Sequence, residues 1–373
     1  MIKLKKTYDR IVVKIGSSSL SSPKGIDENK IRKIVEQISL IKSMGKEIVL
    51  VSSGAIVTGM AELNYKSKPY SLAEKQACAA VGQGILISIY NRIFRENNLK
   101  TAQVLLTAED FSNRQRYMNA YNTIKTLLDL DVIPIVNEND TVATAEIKFG
   151  DNDMLSAQVA GLIEADLLII LSDVEGLLKD VNKSSSVINK VEEITPEVEL
   201  IANGKSGKLG TGGMSSKIRA AKISIHSSIP AIIAPSYKEN VILKALESIE
   251  KEKYDVGTTF LAKENNLSKR KRWIYYSLKS KGEIKIDPGA EKALISGKSL
   301  LAVGIKEILG KFNIGDLVKI VNENGEVIAK GLVNYSSQEL RLMIRNKMLI
   351  NESLGPEEVI HRNNMVLEEK IYP

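Results

Sequence analysis

The stretch RIVVKIGSSSL, residues 10–20, decides the fold. Residues 11–15 are apolar on both alternations except for Lys14, the pattern of a strand buried on both faces in a helix-covered parallel sheet. Gly16 and three serines then break the run, as a chain does where such a strand turns at the carboxyl edge of its sheet. A lysine inside a buried strand costs several kcal/mol of desolvation unless it meets an anion. Lys14 therefore implies either a structural ion pair or a bound phosphate.

Five further runs share this grammar: EIVLVSS (47–53), AQVLLT (102–107), VIPIVNE (132–138), DLLIILSD (166–173) and PAIIAP (230–235). Between them, DENKIRKIVEQISLIKSM (27–44) and SLAEKQACAAVGQGILISIYNRIF (71–94) carry the 3.6-residue period of helices, and Ser71 and Glu74 have capping-box spacing. The alternation predicts an α/β fold over residues 1–258, an open, mainly parallel sheet sandwiched by helices. Near residue 255 the pattern changes. KENNLSKRKRWIYYSLKSKG (263–282) is basic and polar, holds the single tryptophan, and places a linker at 259–280. Short β-rich segments follow, with NENG (322–325) as a hairpin turn, so a small, mainly β domain is expected at 281–365.

With 373 residues, 43% of them hydrophobic, the chain can bury one large or two medium cores. No run of ~18 apolar residues is present, and the first residues carry charge where a signal peptide is apolar, so the expectation is a soluble, cytoplasmic protein. The single cysteine, Cys78, lies among small apolar residues at helical spacing and reads as core packing. The net charge of +7 is uneven: residues 1–255 hold 33 Lys and Arg against 31 Asp and Glu, leaving 19 against 14 in the last third. That basic excess suits either solubility or a polyanion such as RNA.

Several chemistries are excluded by motif. There is no P-loop, GQG at 82–84 lacks the strand and third glycine of a dinucleotide fingerprint, and no Cys/His cluster is available for zinc. What remains is a set of glycine-rich turns. In VSSGAIVTGM (51–60), Ser52, Ser53 and Gly54 lead into a helix whose first N–H groups can meet an anion. In GTGGMSSKIRAAKISIHSS (210–228), glycines open a helix with Lys217 in its first turn, where a cation opposes the helix dipole unless a strong anion is bound. VNENDTVATAEIKFGDND (136–153) supplies Glu138, Asp140, Asp151 and Asp153 with Asn137, Asn139 and Asn152, although Asp151 or Asn152 could simply cap the helix that follows. LSDVEGLLKD (171–180) ends a buried strand in Ser172 and Asp173, where a nucleoside could be gripped. Two distant lysines, anion-binding turns and a carboxylate-rich loop without a candidate base suit phosphoryl transfer to a carboxylate. Such an acceptor has a pKa of about 4 and needs no deprotonation.

In this order and spacing, VVKIGSS, VSSGAI, VNENDTVATAEIKFGDNDMLSA, LSDVEGLL and GTGGMSSKIRAA resemble the amino-acid kinase family. The acceptor segment resembles the branch that phosphorylates glutamate more than those acting on acetylglutamate, aspartate, carbamate or uridylate. The tail, with GEIKIDPGAEKALI and GIKEILGKFNIGDLVKIVNENGEVIAKG, resembles a PUA domain. Ser172 stands where threonine is common and Leu178 where tyrosine is common.

The resemblance implies ATP-dependent phosphorylation of the γ-carboxylate of L-glutamate, the first step from glutamate to proline. It implies that Lys14 and Lys217 neutralise the transferring group and that Asp151 holds both lysines. Ser53, Gly54, Asp140 and Asn152 would bind glutamate, with Asp140 facing its ammonium. Lys14, Ser172 and Asp173 would line the ATP site with Thr211, Gly212, Gly213, Met214, Ser215, Ser216 and Lys217. Mg²⁺ would be held mainly by nucleotide phosphates, with no metal site of the protein's own. A homo-oligomer (dimer or tetramer), hand-over of the labile acyl phosphate to a glutamyl phosphate reductase, and feedback inhibition by proline near residues 110–150 are also implied. For the tail, a regulatory or assembly role is preferred to RNA binding, because it is thin in aromatics. The role of Asp153 stays open, helix capping being the simplest.

Overall fold

The structure is a computed structural model and describes residues 7–22, 25–143, 152–179, 186–203, 213–262, 280–345 and 358–368. The chain divides into two compact units, Met1–Asn265 and Asn266–Pro373.

In the first unit, eight strands form one sheet among the described residues. Their spatial order is Lys100–Leu106, Val132–Glu138, Glu47–Ser52, Arg10–Ile15, Leu167–Ser172, Ala231–Pro235, Thr258–Phe260 and Lys190–Val191. The first six are parallel. Thr258–Phe260 runs antiparallel to Ala231–Pro235 and parallel to Lys190–Val191. All six strands expected from sequence are present within two residues of their expected bounds. The two additional strands, of two and three residues, are too short to show a period. Phe260, in the three-residue strand, is fully buried in the core.

The sheet separates two apolar layers. Successive side chains of a strand point to opposite faces, so Ile11, Val13 and Ile15 enter one cluster and Val12 the other. The first is closed by helices Glu28–Ser43, Leu72–Glu96 and Val241–Glu250, and the second by helices Arg114–Asp129, Asn152–Ile163 and Met214–His226. Lys14 shares the parity of Val12, so the sequence assigns it to the layer that holds the last two helices.

The helix Leu72–Glu96 begins at a complete capping box: the Glu74 N–H donates to Ser71 Oγ and the Ser71 N–H to Glu74 Oε2. Among the described helices it is the one long and apolar enough to cross a membrane by length and composition. Cys78, Ala79, Leu86, Tyr90, Ile93 and Phe94 are buried on its inner side. It packs closely on the helix Ala55–Glu62. A Cβ on Gly59 would stand 1.8 Å from the Cys78 carbonyl oxygen, and one on Gly82 would stand 1.9 Å from that of Ala55. Gly82 of the GQG triplet thus serves backbone contact between helices, and burial pushes the Cys78 thiol up.

The second unit is built on a five-stranded sheet in the order Ile305–Gly310, Gly282–Ile286, Leu317–Val321, Val327–Leu332 and Met365–Leu367. Among the described strands of this sheet, only the pair Gly282–Ile286 and Leu317–Val321 is parallel. The turn at NENG closes as expected: Gly325, at φ +82°, donates its N–H to the Asn322 carbonyl, and the Asn322 N–H bonds to the Glu326 carbonyl. Ile284, Ile286, Leu294, Val318, Ile320 and Val359 belong to its own apolar core.

Candidate active site

Three buried charges meet beneath the carboxyl ends of the central strands. Lys14 Nζ lies 2.5 Å from Asp153 Oδ1, and Lys217 Nζ lies 3.2 Å from Asp153 Oδ2. The Asp153 side chain is wholly buried and the lysine side chains are 4% and 9% exposed. Ser216 Oγ stands 2.9 Å from the same Oδ2. Asp153 is the second residue of the helix Asn152–Ile163, and Lys217 lies in the first turn of Met214–His226, as the sequence predicts. Both helices cover the face to which strand parity sends Lys14, and the bridge follows from that shared layer. Removing one member of such a buried cluster typically costs about 3–5 kcal/mol, because the partner's charge is left uncompensated. The carboxylate between the two lysines is thus Asp153; Asp151, expected in that place, lies outside the described residues.

Gly16 keeps the ground beside Lys14 open, since a Cβ there would stand 3.5 Å from Lys14 Nζ and 3.8 Å from Ser18 Oγ. Ile15 pairs with Ser52 on one side and Leu171 on the other. The Lys14 strand is therefore flanked by the two strands that end in the remaining candidate turns.

On the Ser52 side, Gly54 adopts φ +116°, a left-handed turn that opens the helix Ala55–Glu62. Asn152 Nδ2 lies within hydrogen-bond distance of the Ser52 carbonyl (3.0 Å), Ser53 Oγ (2.9 Å) and Asn137 Oδ1 (2.8 Å). Its two hydrogens are shared among three acceptors. Asn137 Oδ1 also accepts the Glu138 N–H, and its Nδ2 donates to Gln83 Oε1 at 2.7 Å. Ser52 Oγ donates to the Ser53 carbonyl at 3.1 Å and stands 2.9 Å from the hydroxyl of buried Tyr90. Burial pushes the Tyr90 phenol well above its ordinary range, opposed in part by the Ser52 contact. Asp140 is half-buried in the turn after Val132–Glu138. Gln83 and Tyr90 escaped the sequence reading, although glutamine and tyrosine seven residues apart on an apolar helix were a visible signal.

On the Leu171 side, Ser172 Oγ donates to Asp173 Oδ1 at 3.2 Å. The Ser236 N–H bonds to the Ser172 carbonyl and ties this end to the strand Ala231–Pro235. Glu175 accepts from Tyr237 and Lys238, each at 2.6 Å. Lys238 first and Tyr237 second hold the Glu175 carboxyl below its usual range, while the bond to Glu175 pushes the Tyr237 phenol up to about 12. Sequence reading passed over this cluster, because its members join only when two strand ends are brought side by side. Gly213 precedes the helix Met214–His226 without a side-chain cap, and no acidic residue occupies its first turn. Met214, Ser215 and Ser216 follow it, whereas Thr211 and Gly212 lie outside the described residues. The arrangement offers first-turn helix N–H groups and paired lysines on one side of a strand end, and hydrogen-bonding side chains on the other.

Comparison with known proteins places this geometry in a family. Residues 9–235 match the model of the amino acid kinase family and residues 282–353 that of the PUA domain. Glutamate 5-kinase of Caldanaerobacter subterraneus subsp. tengcongensis is 48% identical over 370 residues, covering 97% of this chain and 98% of the relative. Glutamate 5-kinase of Thermus thermophilus is 42% identical over 367 residues, with the same coverage. Among solved structures, carbamate kinase from Giardia lamblia bound to AMP-PNP aligns at a TM-score of 0.49 and 18% identity, over 70% of this chain and 100% of that one. The chain belongs to the amino acid kinase family and, within it, to the glutamate 5-kinases that carry a C-terminal PUA domain.

Proposed function

We infer that the chain transfers the γ-phosphoryl group of ATP to the γ-carboxylate of L-glutamate, giving L-glutamyl 5-phosphate on the route to proline. The observation that carries this reading is the buried Lys14–Asp153–Lys217 bridge at the sheet's carboxyl edge. Two ammonium groups gathered on one buried carboxylate form a place suited to a strongly charged anion. An arriving phosphoryl group is such an anion.

The chemistry needs little besides position and charge. A γ-carboxylate oxygen of glutamate attacks the γ-phosphorus, the bond from that phosphorus to the bridging oxygen breaks, and ADP leaves with the electron pair. No proton moves, because the acceptor is already ionised at neutral pH. Lys14 and Lys217 neutralise charge on the transferring oxygens, the main contribution a protein makes to phosphoryl transfer. Asp153 holds the two ammonium groups in register. The first-turn N–H groups of Met214–His226 add donors for phosphate at a helix terminus.

Glutamate would lie on the Ser53, Gly54, Asp140 and Asn152 side, with Asp140 toward its ammonium. ATP would lie on the side of Ser172, Asp173 and residues 211–217. Among the described residues no group of three or more His, Cys, Asp or Glu side chains is placed to hold a metal, and Asp153 is committed to two lysines. A Mg²⁺ arriving with the nucleotide would be held mainly by phosphate oxygens, where it shields their charge. The acyl phosphate product is a reactive mixed anhydride, which favours direct hand-over to a reductase; feedback by proline, homo-oligomeric assembly and a cytoplasmic location belong to the same proposal. Incubation with L-glutamate, ATP, Mg²⁺ and hydroxylamine tests it by trapping the product as glutamyl hydroxamate.

A further inference from the structure

We propose that the helix Leu72–Glu96 sets the acceptor half of the site through one polar stripe, and that Gln76, Gln83 and Tyr90 are positioning residues for glutamate. The inference rests on the reading that glutamate lies beside Ser53, Asp140 and Asn152.

The three residues are spaced seven apart. At 3.6 residues per turn, seven residues bring a helix back to within about 20° of the same face, so they form a single stripe. With a rise of 1.5 Å per residue, the stripe is about 21 Å long. It runs down an otherwise apolar inner side formed by Ala79, Leu86, Ile93 and Phe94. Each member reaches a different segment of the acceptor side. Gln76 Nε2 donates to the carbonyl of Ala143, in the turn that follows Asp140. Gln83 Oε1 accepts from Asn137 Nδ2 at 2.7 Å, at the end of Val132–Glu138. The Tyr90 hydroxyl meets Ser52 Oγ at 2.9 Å, at the end of Glu47–Ser52. None of these three bonds reaches the Lys14, Ser172 or Lys217 segments.

The bonds also have a fixed polarity. Asn137 Oδ1 is occupied by the Glu138 N–H and by Asn152 Nδ2, so the Asn137 amide must present its N–H to Gln83. Ser52 gives its only hydroxyl hydrogen to the Ser53 carbonyl, so Tyr90 donates to Ser52. Both chains converge on Asn152 and Ser53. Gln83 thereby orients Asn137, which orients Asn152, and Tyr90 orients the Ser52–Ser53 turn. Burying these amides without partners would be costly, so the stripe is what keeps the acceptor residues in one rotamer.

The test compares Gln83→Met and Tyr90→Phe with the wild-type enzyme, reading KM for glutamate, KM for ATP, kcat and the melting temperature. Both variants keep side-chain volume close to native. The expected result is a rise of about tenfold in KM for glutamate, the effect of one lost hydrogen bond to a buried side chain, with KM for ATP within about twofold of wild type. Gln76→Met is expected to shift KM for glutamate in the same direction. Should Gln83→Met fail to fold, Tyr90→Phe alone decides, since it removes one oxygen. Wild-type KM for glutamate in the variants, or equal losses for both substrates, overturns the inference. If the wild-type enzyme itself forms no glutamyl hydroxamate, it is the functional reading that fails, and the two failures are thereby separated.

Discussion

Asp153 Oδ1 lies 2.5 Å from Lys14 Nζ, with both groups buried, while the other oxygen of the same carboxylate reaches Lys217. One side chain thus fixes two cations contributed by distant segments. Replacement by asparagine keeps the shape and removes the charge. Asp153→Asn is expected to lower kcat by roughly 10²–10³, the loss seen when a preorganised electrostatic group is removed. It should also lower the melting temperature of the nucleotide-free protein, because two buried ammonium groups lose their counter-ion. ATP should recover part of that loss by supplying anions to the same lysines, and differential scanning fluorimetry with and without ATP reads this directly.

Lys217 faces charge that grows as the phosphoryl group moves. Its contribution should therefore appear in the transition state more than in the ground state. Lys217→Ala is expected to cut kcat by on the order of 10² or more, with KM for glutamate changed by only a few-fold. Equal losses in kcat and glutamate affinity, measured by steady-state kinetics, would argue that Lys217 serves substrate binding instead.

The six long strands of the sheet and the place of the lysines were legible in sequence for a physical reason. Buried strands declare themselves by apolar residues on both alternations, and Lys14 interrupts one of them. Which aspartate of GDND answers the lysines was not legible. Both aspartates of GDND stand just ahead of the same apolar run, so the sequence offers either to the lysines; the structure shows Asp153 there, and Asp151 lies outside the described residues. The close contact of Gly59 with Cys78 was hidden for a similar reason, since two glycines on different helices give no local pattern. The strand Lys190–Val191 was invisible because two residues carry no period.

That helix contact makes its own prediction. Gly82→Ala places a methyl group 1.9 Å from the Ala55 carbonyl oxygen, where rigid backbone stands on both sides. The helices must separate, and overpacking of this kind typically costs about 1–3 kcal/mol. Gly84→Ala, with open space at its Cβ, should instead be neutral or slightly stabilising, since alanine favours a helix. Urea denaturation midpoints of the two variants check the contrast.

Tyr90 is expected to contribute to a loss of stability at alkaline pH. Its phenol is pushed above the ordinary value of 10.0 by burial, so the folded chain keeps a proton that the unfolded chain releases. The contribution is fully present below pH ~10 and is lost as pH rises above that value, because the unfolded state then binds fewer protons. Tyr90→Phe should flatten this loss between about pH 10 and 11 relative to the wild-type protein. Denaturation at graded pH measures it, and identical slopes in the two proteins would show that Tyr90 ionises freely in the fold.

Glutamate as the phosphoryl acceptor is tested by the hydroxamate assay on the purified full chain. With L-glutamate, ATP and Mg²⁺, the expected result is ATP-dependent formation of glutamyl hydroxamate, slowed by roughly 10²–10³ in Asp153→Asn and at most weak with N-acetyl-L-glutamate or L-aspartate as acceptor. Preferential conversion of either of those acids, or of carbamate or uridylate by release of ADP, with no product from glutamate, would contradict it.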